Sequence, residues 1–133
     1  MITALDSSVL WAIVKKEPGF EGWLQSLMQA ASEGPLIISP IAFAELAPST
    51  PDATSLNLLL AKLAIFYSPI DQVAAHLAGL TFKRYRNAGG PRQHLIPDFI
   101  IAAHAQTQAD RLAAIDRGYL RNWFPQLQLL PSK

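Results

Sequence analysis

Four carboxylates spread along the chain, Asp6, Glu45, Asp98 and Asp116, are the side chains best suited to chemistry. Gathered in a region of low dielectric they would repel one another, and some would take up protons unless a cation neutralised them. Oxygen donors without any cysteine and without paired histidines favour a hard ion, Mg²⁺ or Mn²⁺, over zinc or copper. Such an ion keeps several waters and commonly meets a phosphate, which it polarises while activating a water for in-line attack. The chemistry inferred is phosphodiester hydrolysis.

Asp98 stands in the most telling context, Ile96-Pro97-Asp98-Phe99-Ile100-Ile101-Ala102-Ala103-His104-Ala105. Pro97 suits the first turn of a helix, where a missing N–H costs nothing. The positive end of the helix dipole favours an ionised acid at Asp98. At about 100° per residue, Ile101, Ala102 and Ala105 share its face, so the acid is expected to turn toward the fold. His104 points away and reads as structural.

The elements that must position these acids follow from apolar patterning. Short, continuously apolar runs at 2–5, 36–39, 64–67 and 111–115 read as buried strands, with 127–130 as a fifth. Helices are expected over 9–16, capped by Asp6 or Ser7, and over 20–31, where Phe20, Trp23, Leu24, Leu27, Met28 and Ala31 recur at helical spacing. Further helices are expected over 40–47, 53–63, 71–87 with Asp71 as cap, and from Pro97 onward. Buried strands alternating with helices imply a parallel sheet covered on both faces, whose site lies at the carboxyl ends of its strands. Asp6 and Asp116 directly follow strands, and Glu45 lies one or two helical turns beyond another. All four acids thus have a route to one edge.

Length and composition set the bounds. The 133 residues fit a single domain, 1–133, and half of them are hydrophobic. The absence of cysteine excludes a disulfide framework and a thiolate nucleophile, and fits a reducing cytoplasm. No amino-terminal signal and no membrane-length apolar run is visible. Charge is uneven: residues 1–75 hold three bases against seven acids, and residues 76–133 eight bases against three acids. Lys83, Arg84, Arg86 and Arg92 fall in one acid-free segment with His94 beside them, which reads as a solvated loop histidine ahead of the alternative, an RNA contact. A basic patch beside an acidic cluster suits a polyanion held at a metal site, although bases at a helix C-terminus also suit its dipole.

Taken together, Leu5-Asp6-Ser7-Ser8-Val9-Leu10, Ser39-Pro40 followed by Glu45-Leu46, the 96–105 stretch, and Asp116-Arg117-Gly118-Tyr119 followed by Phe124-Pro125 resemble the PIN domain. Within that family the chain resembles the VapC-type toxins of toxin–antitoxin pairs, over nearly its whole length. The resemblance implies an α/β, three-layer fold with a mostly parallel sheet of four or five strands and helices on both faces. It implies a metal-dependent endoribonuclease with Asp6, Glu45, Asp98 and Asp116 around Mg²⁺ or Mn²⁺, and Arg84, Arg86, Arg92 or Arg117 guiding the RNA backbone. It also implies a homodimer, and an antitoxin seated on the early helices, where Trp11, Phe20, Trp23 and Leu27 would line its groove. One position departs from the family: Ala114 stands where a Ser or Thr often precedes the last acid by two residues.

Each acid alone has a simpler role. Asp6 could cap a helix, Glu45 face solvent, Asp98 compensate a dipole and Asp116 open a turn. A PIN-like module that binds RNA or protein without cleaving is therefore the rival reading. An unrelated nucleotide-binding fold is disfavoured, because Asp6-Ser7-Ser8 replaces the Gly-rich loop such a fold needs after its first strand.

Overall fold

A computed structural model describes residues 1–91, 96–115 and 118–130. Five strands, β1 (Thr3–Leu5), β2 (Leu36–Ile38), β3 (Ile65–Tyr67), β4 (Arg111–Ala113) and β5 (Gln128–Leu130), form one sheet in the order β3-β2-β1-β4-β5. Every pairing is parallel, with Ala4 opposite Ile37 on one side and Leu112 on the other. Successive strand residues point to opposite faces, so the burial of Thr3, Ala4 and Leu5 alike means that both faces of β1 are covered.

The helices are α1 (Ser7–Val14), α2 (Phe20–Glu33), α3 (Pro40–Leu46), α4 (Ala53–Lys62), α5 (Gln72–Asn87), α6 (Ile96–Gln108) and α7 (Gly118–Trp123). Their starts follow the local chemistry. Asp6 caps α1 by accepting from Ser8 N, Ser39 caps α3 ahead of Pro40, and Asp71 Oδ1 caps α5 through Ala74 N at 2.8 Å. Helix α5 stops where Gly89 takes a positive φ of 84° and Gly90 lies against Tyr85, leaving no room for a Cβ.

Helices α5 and α6 pack as an antiparallel pair. Tyr85 meets Phe99 at 5.1 Å near one end, and Gln108 Oε1 accepts from Asp71 N at the other. Phe99 is fully buried, ringed by Phe82, Tyr85, Tyr119 and Phe124 at 5.1–5.7 Å. This cluster fixes the start of α6, and with it Asp98. Among the described residues, no helix is long and apolar enough to cross a membrane.

The amphipathic reading of residues 20–31 needs one correction. The buried positions of α2 are Trp23, Ser26, Leu27 and Ala30, a stripe rotated from the one expected. Trp23, 5% exposed, is core and lines no open groove, because its position on α2 points into the packed interior. Leu27 is also buried, but it floors an apolar groove whose rim includes Leu24, Met28 and Lys62. Met28, at 72% exposed, stands out into solvent there. Trp11 and Phe20 are half-buried, and the Trp11 indole N–H donates to Glu45 O at 3.1 Å.

Candidate metal and phosphodiester site

The strand order places the site. The chain runs from β1 outward to β2 and β3, then returns to the other side of β1 for β4 and β5. The carboxyl ends of β1 and β4 therefore flank a switch point, where parallel sheets leave a crevice for ligands. Asp6 sits there, its N–H donating to Ala113 O at the end of β4 (2.9 Å).

Three of the four expected acids come together electrostatically. Burial pushes the Asp6 carboxyl above the usual carboxylate range, opposed by its hydrogen bonds from Ser8 and reinforced by the charge of Asp98. Partial burial of the Glu45 carboxyl likewise raises it. The bond from Ser7 opposes that rise, and the charges of Asp6 and Asp98 add to it. Ser7 Oγ donates to Glu45 Oε1 at 2.8 Å, bringing the first turn of α1 to α3. Asp98 is half-buried in the first turn of α6, on the same helix face as the buried Ile101, Ala102 and Ala105.

Among the described residues, no three His, Asp or Glu side chains form a ready-made metal cluster. The donor chemistry nevertheless suits a hard divalent ion: the groups are carboxylates and hydroxyls, and neither Asp6 nor Glu45 has a cationic partner among the described residues. Asp116, Arg92, Arg117 and His94 lie outside the described residues.

Arg84 and Arg86 occupy the last turns of α5, at the end of the helix pair where Asp98 begins α6. Arg84 is exposed, with Nη2 donating to Thr81 Oγ1 at 3.3 Å, while Arg86 Nη1 donates to Gly90 O at 2.6 Å. Arg86 thus also closes the end of its own helix. His104 is buried, with Nε2 at 3.1 Å from Ser68 Oγ, and burial lowers its pKa, as a structural histidine requires. The hydroxyls of Ser7 and Ser8 were not expected at the site. Their only signal was adjacency to Asp6, which reads equally as capping.

The chain belongs to the PIN domain family, whose model matches residues 3–122. Its fold is shared with chains of several solved complexes. The chain is similar to one in VapBC2 from Rickettsia felis bound to a promoter DNA fragment (TM-score 0.76, 19% identity, 97% of both chains covered). It is also similar to one in VapBC-1 from nontypeable Haemophilus influenzae (TM-score 0.71, 20% identity, covering 97% of this chain and 96% of that one). A third is in FitAcB from Neisseria gonorrhoeae (TM-score 0.61, 22% identity, covering 98% and 97%). No curated protein matches the chain significantly in sequence.

Proposed function

We propose that this protein is a Mg²⁺- or Mn²⁺-dependent endoribonuclease, the toxin of a toxin–antitoxin pair. The observation that carries the reading is the convergence of Asp6, Glu45 and Asp98 at the carboxyl edge of a PIN-family sheet, where the charge of Asp98 bears on both Asp6 and Glu45 and that of Asp6 on Glu45. Asp6 and Asp98 supply oxygen ligands, Asp116 completes them from the segment after β4, and Glu45 acts as a further ligand or holds a water. When bound, the ion polarises the scissile phosphodiester and activates the attacking water. Ser7 holds Glu45 in orientation through its hydroxyl bond. Arg84, at the same end of the α5–α6 pair, offers an exposed guanidinium to the RNA backbone, with Arg86, Arg92 and Arg117 as further contacts.

The antitoxin reading rests on two supports. Solved structures that share this fold include VapBC complexes and a toxin–antitoxin complex from Klebsiella pneumoniae, and this chain carries an apolar groove between α2 and the end of α4 with Met28 exposed on it. An apolar helix or strand of the antitoxin is the proposed occupant.

The test is cleavage of a defined RNA by the purified protein with Mg²⁺, alongside Asp98→Asn. Cleavage by the parent, abolished by a chelator and lost in a folded Asp98→Asn protein, is expected. Equal cleavage by both, or none by the parent at any divalent ion, would contradict the proposal and favour a non-cleaving PIN-like module.

A further inference from the structure

A cavity of about 260 Å³ opens where the α5–α6 pair meets the end of α7, and no acid among the described residues lines it. Three polar side chains do. Thr81 is buried, and its Oγ1 accepts from Arg84 Nη2 at 3.3 Å, which lays the guanidinium against the cavity wall. No carboxylate pairs with Arg84 among the described residues. The third is Gln106, whose Oε1 is buried and has no hydrogen-bond partner among the described residues. A buried acceptor without a donor is costly, so an N–H brought by a ligand would relieve it.

The rest of the wall is apolar and aromatic. Leu77 and Pro125 contribute to it, and Trp123 stands edge-to-face with Tyr85 at 5.5 Å, which holds the indole in place. Cavities for drug-sized ligands start at roughly 300 Å³, so this one suits a single planar ring system. A simple anion would satisfy Arg84 but set its charge against Gln106 Oε1. An ammonium group would suit Gln106 and be repelled by Arg84. What fits both is a flat ring with acceptors on one edge and an N–H beside them. Guanine has that pattern, because O6 and N7 accept together from a guanidinium fork and the ring N–H adjoins O6. Adenine offers Arg84 only N7, next to an amino group that opposes the fork.

We propose that this cavity binds a guanine base, with Arg84 donating to O6 and N7, Gln106 Oε1 accepting from the ring N–H, and Trp123 as the aromatic wall. The base is carried by an RNA strand or by a free nucleotide. Tyr85 touches both Trp123 and Phe99, the neighbour of Asp98, so two ring contacts link the cavity wall to the residue beside that acid. Guanine binding there requires neither the metal nor the acids.

Calorimetry on the whole chain with guanosine monophosphate (GMP) and its adenosine counterpart (AMP) tests this, since the two share a phosphate and differ in the base. GMP is expected to bind about 10-fold or more tighter than AMP. Gln106→Leu removes the acceptor and is expected to lose about 10-fold in GMP affinity. Arg84→Lys, at an exposed position, keeps the charge without the fork and is expected to bind the two nucleotides alike. Equal affinity of the parent for both, GMP affinity unchanged in Gln106→Leu, or a preference that survives Arg84→Lys would overturn the proposal. In folded Asp98→Asn, displacement of a guanine-bearing RNA tetranucleotide by GMP would assign the base to RNA, and GMP binding without displacement would assign it to a free nucleotide. Should the parent cut no RNA yet prefer GMP, the metal-dependent nuclease reading fails and the guanine site stands.

Discussion

Asp98 and Phe99 are neighbours in the first turn of α6, yet they belong to regions built on opposite terms. Phe99 is wholly buried among four aromatic rings and satisfies packing. Asp98 joins Asp6 and Glu45, whose charges oppose one another and whose burial disfavours ionisation. The aromatic side stabilises the fold, and the acidic edge draws on that stability to hold like charges together.

The sharpest way to break the comparison is to weaken the aromatic side. Phe99→Ala is expected to cost about 3–5 kcal/mol, a large share of the stability of a domain this size, read as a fall in the denaturation midpoint. Cleavage should fall with the folded fraction. Asp98→Asn is expected to do the reverse, lowering cleavage by about 100-fold or more while the midpoint stays near the parent's.

Asp6→Asn sharpens the contrast further. Asparagine caps a helix as well as aspartate does, so removing the charge keeps the cap and relieves the repulsion. The metal-free variant is expected to melt above the parent at neutral pH, while losing Mn²⁺ binding. A midpoint below the parent's would show Asp6 to be a stabilising cap first.

The pH dependence has a definite sign. A carboxyl whose pKa is raised on folding holds its proton more tightly in the folded state than in the unfolded one. Metal-free stability from Asp6 and Glu45 is therefore greatest in acid. It declines as pH rises from the unfolded values, 3.8 and 4.5, through the raised folded ones. Melting across that range, with and without Mn²⁺, should show the decline and its reversal by the ion. The smallest effect belongs to the pair Arg111–Glu33, far from both regions in role. Glu33→Gln is expected to cost under about 1 kcal/mol and leave cleavage unchanged.

Much of this was legible in the sequence, for identifiable reasons. Continuous apolar runs such as Leu36-Ile37-Ile38, too short for a helix and bounded by Gly34-Pro35 and Pro40, read as strands covered on both faces, so the parallel sheet followed from them. Asp71 was legible as a cap, and His104 as structural, from helical geometry alone. The burial register of α2 was less so. Its apolar residues span more than one face, and only packing decided that Ala30 goes inward while Met28 faces out. The hydrogen bond from Ile115 N to Ser8 Oγ was invisible, because nothing in a Ser-Ser pair after an acid names a partner 107 residues away.

The most direct measurement is a crystal soaked in Mn²⁺ and recorded at a wavelength where manganese scatters anomalously. The account predicts an anomalous peak at the carboxyl edge of the sheet, within ligand distance of Asp6 and Asp98. No peak there in fully soaked crystals, or a peak only at other surface carboxylates, would contradict it.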